Sequence, residues 1–313
     1  MKKERENKAK LAIIAGGGVL PALLINNCRK KNRPFCVLAL KNHAEPNLLP
    51  TDIPIKWIRL GAVGKAIHFL KNESVTEIVM IGSVRRPSLV EIFPDLRGWQ
   101  MAFRIGLKKK GDDGLLRSII HEIEKLGLRV RAIQDFLPNL LAPLGVLTAT
   151  KPDILDIEDI SRGCYTAKLL GLADIGQAVI VQQGLVLSVE GIEGTKALIE
   201  RTKNLKRKGT GGVLVKTAKP TQEQRVDLPT IGVHTVQSVF DAGLKGIAVE
   251  AEQVLIPNID EVITKADSLN IFIIGINPTE IIPPILKNQL DILSGKKVIP
   301  SKPKKSKRKG TQK

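Results

Sequence analysis

The chain has 313 residues, 43% of them hydrophobic but only 3% aromatic, which is long enough for one or two domains with their own cores. Its aliphatic bias describes an α/β protein, and three cysteines (Cys28, Cys36, Cys164) without CxxC spacing exclude a zinc ribbon or a disulfide framework. The formal net charge of +18 is concentrated at the ends: Lys296–Lys313 carries nine bases and no acid, Met1–Lys10 is +3, and the body keeps +6.

In chain order, the opening MKKERENKAKLAIIAGGGVLPALLI imitates a signal peptide. Glu4 and Glu6 in its head, three glycines and Pro21 in its apolar part, and the lack of an A-x-A site argue against that reading. No stretch approaches 18 apolar residues, so a cytosolic protein is expected. LAIIAG (11–16) reads as a strand, followed by a helix over Pro21–Lys31. FCVLAL (35–40) and IKWIRL (55–60) read as strands, helical spacing follows at Val63, Ile67 and Leu70, and EIVMIG (77–82) is a further strand. Strand, glycine turn, helix, strand is the pattern of a parallel doubly wound sheet, whose ligands lie beyond the carboxyl ends of the strands.

Gly16-Gly17-Gly18 sits at the first such end, where backbone N–H groups can cradle phosphate; it is equally a tight turn that needs glycine. It matches neither the P-loop nor G-x-G-x-x-G, because position 21 is Pro. Gly17, Gly18, Ser83 and Arg86 are therefore substrate-contact candidates of a generic kind. Asp112 and Asp113 precede the apolar Leu115, Leu116, Ile119 and Ile120, as a helix cap or as metal or sugar ligands. RVRAIQDF (129–136) reads as one more strand, and residues 141–153, which lose periodicity and collect Pro and Gly, as a linker.

The expected layout is thus a basic extension (1–10), a Rossmann-like parallel-sheet domain (11–140), the linker, a mixed α/β domain (154–295) and a disordered basic tail (296–313). In the second domain a helix spans about 154–170, AVIVQQG and LVLSVEG form a hairpin, and helix 195–205 precedes the strand VLVKTAK. LPTIGV, a helix over Val236–Ala242, IAVEA and FIIGI complete it. Asp174, Gln177, Glu190, Glu193 and Thr195 form a polar set around the hairpin, with Glu190 read as a rim carboxylate in solvent. The four histidines are scattered. Of the tail, the composition allows contact with RNA, with an anionic membrane surface, or with solvent alone.

KPTQEQRVDLPTIG (219–232) carries the most chemistry. Lys219 as a point charge and Arg225 as a fork can neutralise phosphate oxygens. Asp227 beside them can hold a divalent metal or orient a water. A surface ion pair of Arg225 with Asp227 is the competing reading.

GGGVLP, KKNRPF, SVRRPSL with FPDLRG, KKGDDGLLR, DIGQAV, EGIEGT and KPTQEQRVDLPTIG follow one another in one order. Together they resemble the cytosolic UDP-2,3-diacylglucosamine pyrophosphatase family of lipid A biosynthesis, the type unrelated to calcineurin-like enzymes. The resemblance runs from Lys10 to Pro278. It implies two α/β domains closing on UDP-2,3-diacylglucosamine and Mg²⁺-dependent attack of water on the α-phosphorus. The products would be UMP and 2,3-diacylglucosamine 1-phosphate (lipid X). Asp227 matches the family's essential aspartate, with Gln177, Thr195, Lys219, Gln224 and Arg225 as further substrate contacts and Asp227, Asp112 and Asp113 as metal candidates. A cytoplasmic homodimer is implied as well, and the basic tail, outside the resemblance, allows a peripheral position at the inner membrane. The chain departs from the family at Lys196, where EGTK replaces EGTD. The alternatives are a non-catalytic nucleic-acid binder, suggested by the basic ends, and a dinucleotide-dependent oxidoreductase, suggested by the βα pattern alone.

Overall fold

A computed structural model describes residues 9–84, 94–105, 112–209, 211–220 and 222–295. Two sheets organise it. The first contains β1 (Leu11–Ala15), β2 (Phe35–Leu40), β3 (Ile55–Ile58), β4 (Glu77–Ile81) and β5 (Arg129–Val130), all parallel, in the order β3-β2-β1-β4-β5. Such a sheet is covered on both faces, which is why its strands are continuously apolar. The two-residue period sorts them: Leu11, Ile13, Val37 and Val79 pack with Leu24 and Ile25 of helix α1 (Leu20–Lys30). Ala12, Leu38 and Ile78 turn the other way, toward Leu70 of α2 (Val63–Asn72). Helices α3 (Leu96–Ile105) and α4 (Asp112–Lys125) precede β5.

The second sheet is mixed, with β6 (Gly145–Val146), β11 (Phe272–Ile276), β10 (Gly246–Glu250), β9 (Val213–Lys216), β7 (Ala178–Gln182) and β8 (Leu185–Val189) side by side in that order. Its centre is β9, β10 and β11, mutually parallel. The hairpin of β7 and β8 runs antiparallel beside β9. Its two-residue turn, Gln183-Gly184, has positive φ at both positions, as the tightest hairpins require, and the Asp159 carboxylate accepts both turn N–H groups at 3.0 and 2.6 Å. Asp159 belongs to α5 (Ile154–Leu172), which opens on a reciprocal Asp153–Asp156 capping box. Ile160 and Cys164 of α5 bury against Val213 and Val215.

Several segments differ from the sequence reading. RVRAIQDF is a strand only at Arg129–Val130 and then turns into a 3₁₀ segment, Ile133–Asp135. Arg131 N still donates to the Ile78 carbonyl at 2.7 Å, and its side chain pairs with Glu77 at 2.8 Å and with Asp135 of the turn at 2.8 Å. Within the stretch expected to be a linker, β6 (Gly145–Val146) pairs antiparallel with β11 and closes that edge of the second sheet. A two-residue strand leaves no periodicity to read. The helices Ile259–Ser268 and Pro284–Leu293 were not anticipated.

The two sheets also share a core. Leu255, 1% exposed, and the half-buried Leu228 both come from beyond residue 153 yet pack into the cluster around Leu11 and Ile13.

Candidate active site

The chemistry converges beyond the carboxyl end of β9. Gly171 near the end of α5 lets the chain leave the sheet there. A Cβ on it would stand 2.9 Å from Pro220 Cδ and 3.0 Å from Lys219 Cα. The following loop folds on Gln222, which is buried. Its Oε1 accepts from Lys219 N at 2.9 Å, while its Nε2 donates to Asp227 Oδ2 at 2.7 Å and to Gln177 Oε1 at 3.3 Å. The amide therefore orients the carboxylate by one charged hydrogen bond. Lys219 donates to Asp174 Oδ1 at 2.6 Å.

Below the loop lies Lys216, the last residue of β9 and 6% exposed. Its Nζ donates to Thr195 Oγ1 at 2.9 Å and to the Thr230 carbonyl at 3.0 Å. Thr195 in turn donates to Glu190 Oε1 at 2.5 Å, and Glu190 Oε2 accepts from Gln177 N at 2.9 Å. Burial pushes the Lys216 ammonium below the ordinary lysine range, opposed first by Glu190 and then by Asp227. Glu190, expected at the solvent rim, is only 6% exposed because both its oxygens are engaged in this network.

The structure thus brings Gln177, Thr195, Lys219 and Asp227 into one hydrogen-bonded set and adds Gln222, Glu190 and Lys216. The signal for Lys216 was present: a single cation ends the otherwise apolar VLVK. Arg225 sits in the same loop but is engaged elsewhere. It pairs with Glu223 at 2.8 Å and with Glu124 of α4 at 2.7 Å, and these partners raise its affinity for its proton, Glu223 first. Gln224 is exposed; its carbonyl accepts from Gln134 at 3.3 Å and its amide donates to Gln253 at 2.7 Å. Gln134 follows β5, so the loop beyond β9 meets the first sheet just past a carboxyl strand end.

The glycine turn lies past the ends of β1 and β4. Gly17 N donates to the Ser83 carbonyl at 2.8 Å and Ser83 N returns a bond to Gly17 O at 2.9 Å. Gly16 N is bonded to Ile81 O at 2.8 Å, leaving Gly18 N, held by the Glu45 carboxylate at 3.1 Å. A Cβ on Gly16 would lie 2.6 Å from the Ser83 carbonyl oxygen, so close approach of two backbones accounts for glycine there. Arg86 and the side chains of Asp112 and Asp113 lie outside the described residues, although Asp112 does start α4.

Among the described residues no group of three or more His, Cys, Asp or Glu side chains converges on a point. A dedicated protein cage is therefore not what the described donors build. Mg²⁺ is commonly held by one or two carboxylates together with substrate phosphates, and an oriented Asp227 fits that donor set. No helix among the described residues is long and apolar enough to cross a membrane.

The family model described as LpxI N-terminal domain matches residues 10–140, and that described as LpxI C-terminal domain matches residues 143–274. The chain is 38% identical over 278 residues to a protein of Caulobacter vibrioides named UDP-2,3-diacylglucosamine pyrophosphatase LpxI, covering 87% of this chain and 99% of that one. Neither finding favours the nucleic-acid-binding or the oxidoreductase reading.

Proposed function

The chain belongs to the LpxI family, and from that premise we propose that it hydrolyses the pyrophosphate bond of UDP-2,3-diacylglucosamine. The observation that carries this is the near full-length match to the Caulobacter pyrophosphatase. The polar set around Asp227, at the strand ends where α/β sheets take ligands, supports it.

In the proposed reaction a water oxygen forms a bond to the α-phosphorus and the bond from that phosphorus to the bridging oxygen breaks. The leaving 2,3-diacylglucosamine 1-phosphate keeps the electron pair, and UMP is the second product. Gln222 orients the Asp227 carboxylate, which aligns the water and accepts its proton. Lys219 contributes positive charge beside the same loop. Asp227 would also hold Mg²⁺, which supplies charge neutralisation at the phosphates when bound. Arg225, engaged with Glu223 and Glu124, ties the loop to α4 and would reach phosphate only by exchanging those partners. Gly17, Gly18 and Ser83, past the ends of β1 and β4, with Arg86 just beyond them in the chain, are the further substrate contacts of the proposal. The family resemblance extends the proposal to a homodimer in the cytoplasm, and the nine bases of the tail, which lie outside that resemblance, suit contact with anionic lipid.

Incubating the purified protein with Mg²⁺, UDP-2,3-diacylglucosamine and ¹⁸O-water tests the proposal. UMP carrying the label is expected. An intact substrate beside cleavage of another nucleotide sugar would refute the substrate, and label in the sugar phosphate would refute attack on the α-phosphorus.

A further inference from the structure

We propose that Lys216 is a catalytic residue whose ammonium donates its third N–H to a phosphoryl oxygen of the bound ligand. The inference rests on the reading above only in requiring a phosphate-bearing ligand at this site.

An ammonium has three donors. At Lys216, Thr195 Oγ1 takes one at 2.9 Å and the Thr230 carbonyl takes another at 3.0 Å. No hydrogen bond to a described residue takes the third. A buried cationic donor without an acceptor is costly, and such a position persists where something else completes it. Here the chain holds the group in place from two sides. Thr195 lies in the first turn of a helix, Gly194–Thr202, and is itself anchored on Glu190; Thr230 belongs to the backbone bridge with Leu255. The Nζ is therefore fixed, and Asp227 is close enough to attract it electrostatically. A phosphoryl oxygen placed for attack by a water on Asp227 would find this donor preorganised. That is the arrangement that stabilises charge developing in a transition state without reorganisation.

A structural role alone, neutralising Glu190 through Thr195, is the rival, and it predicts different behaviour. Losing one preorganised donor costs about 10²–10³-fold in kcat, so Lys216→Met is expected to fall by that factor with KM changed less than tenfold. The deciding variant is Lys216→Met combined with Glu190→Gln, which removes both charges and restores the local balance. If Lys216 touches phosphate, the double variant stays at least 10²-fold down; recovery to within about fivefold of wild type overturns the proposal. Should either variant fail to fold, the wild-type protein labelled with ¹⁵N-lysine decides. Saturating inorganic pyrophosphate with Mg²⁺ is expected to shift the Lys216 ammonium resonance, and an unmoved resonance under demonstrated binding overturns the contact. A shifted resonance in a protein that leaves UDP-2,3-diacylglucosamine intact would retain the contact while refuting the substrate.

Discussion

Asp227→Asn removes one negative charge and one proton acceptor while leaving the side-chain outline in place. The Asn carbonyl can still accept from Gln222 Nε2, now 2.7 Å from the carboxylate, so the loop keeps its bridge. A hydrogen bond to a charged acceptor contributes about 1 kcal/mol more than a neutral one. The melting temperature should therefore drop by no more than about 4 °C. Turnover should respond far more strongly. A general base contributes about 10²–10⁴-fold, equivalent to about 3–5 kcal/mol in the barrier. Affinity for 2,3-diacylglucosamine 1-phosphate should change by less than about tenfold, because Lys216 and Lys219 remain in place. Steady-state kinetics, calorimetric titration of the product and a thermal melt on the one variant suffice. Turnover within about fivefold of wild type in a folded variant would remove Asp227 from the chemistry and direct attention to Asp112 and Asp113.

Glu77 is 5% exposed and bonds Arg33 with one oxygen and Arg131, at 2.8 Å, with the other. Glu77→Ala leaves two shielded guanidinium groups and should cost about 3–5 kcal/mol in denaturant unfolding; a loss under 1 kcal/mol would refute that role. Glu124→Gln removes a pair whose side chains are both more than a third exposed, so its effect should stay below about 1 kcal/mol and vanish in high salt. Arg225 holds the Glu223 carboxyl below its ordinary value of 4.5. The associated stabilisation of the 219–232 loop is then complete above that value and is lost as pH falls through the depressed one, so hydrogen exchange in the loop should rise only in that acid window. Burial pushes the Cys28 and Cys36 thiols up to about 11, so iodoacetamide at pH 8 should modify neither until the protein unfolds, as mass spectrometry would register.

The parallel first sheet was legible because burial on both faces demands uninterrupted apolar strands, and LAIIAG, FCVLAL and EIVMIG have them. The hairpin was legible from two apolar runs around Gln183-Gly184. Of the site, Asp227 and Lys219 stood out through charge crowded between prolines, and Thr195 and Gln177 as part of the polar set around the hairpin. What escaped depended on distant partners. Lys216 drew no notice inside the expected strand VLVKTAK until Thr195 and Thr230 were seen to cover it, and Glu190 looked solvated until Gln177 and Thr195 took its oxygens. Arg225 offered phosphate chemistry in sequence, but Glu124 lies 101 residues away and no local pattern announces it.

The family models part between residues 140 and 143, a natural place to cut for anyone exchanging halves with a relative. The hydrophobic interior does not part there. Leu255 and Leu228, both supplied by the second half, complete a cluster that belongs to the first, and Leu228 is the residue next to Asp227. A chimera joined at that point would inherit Asp227 from one parent and the surface that seats its neighbour Leu228 from the other. Its success would depend on two leucines fitting a foreign cavity rather than on either half folding well.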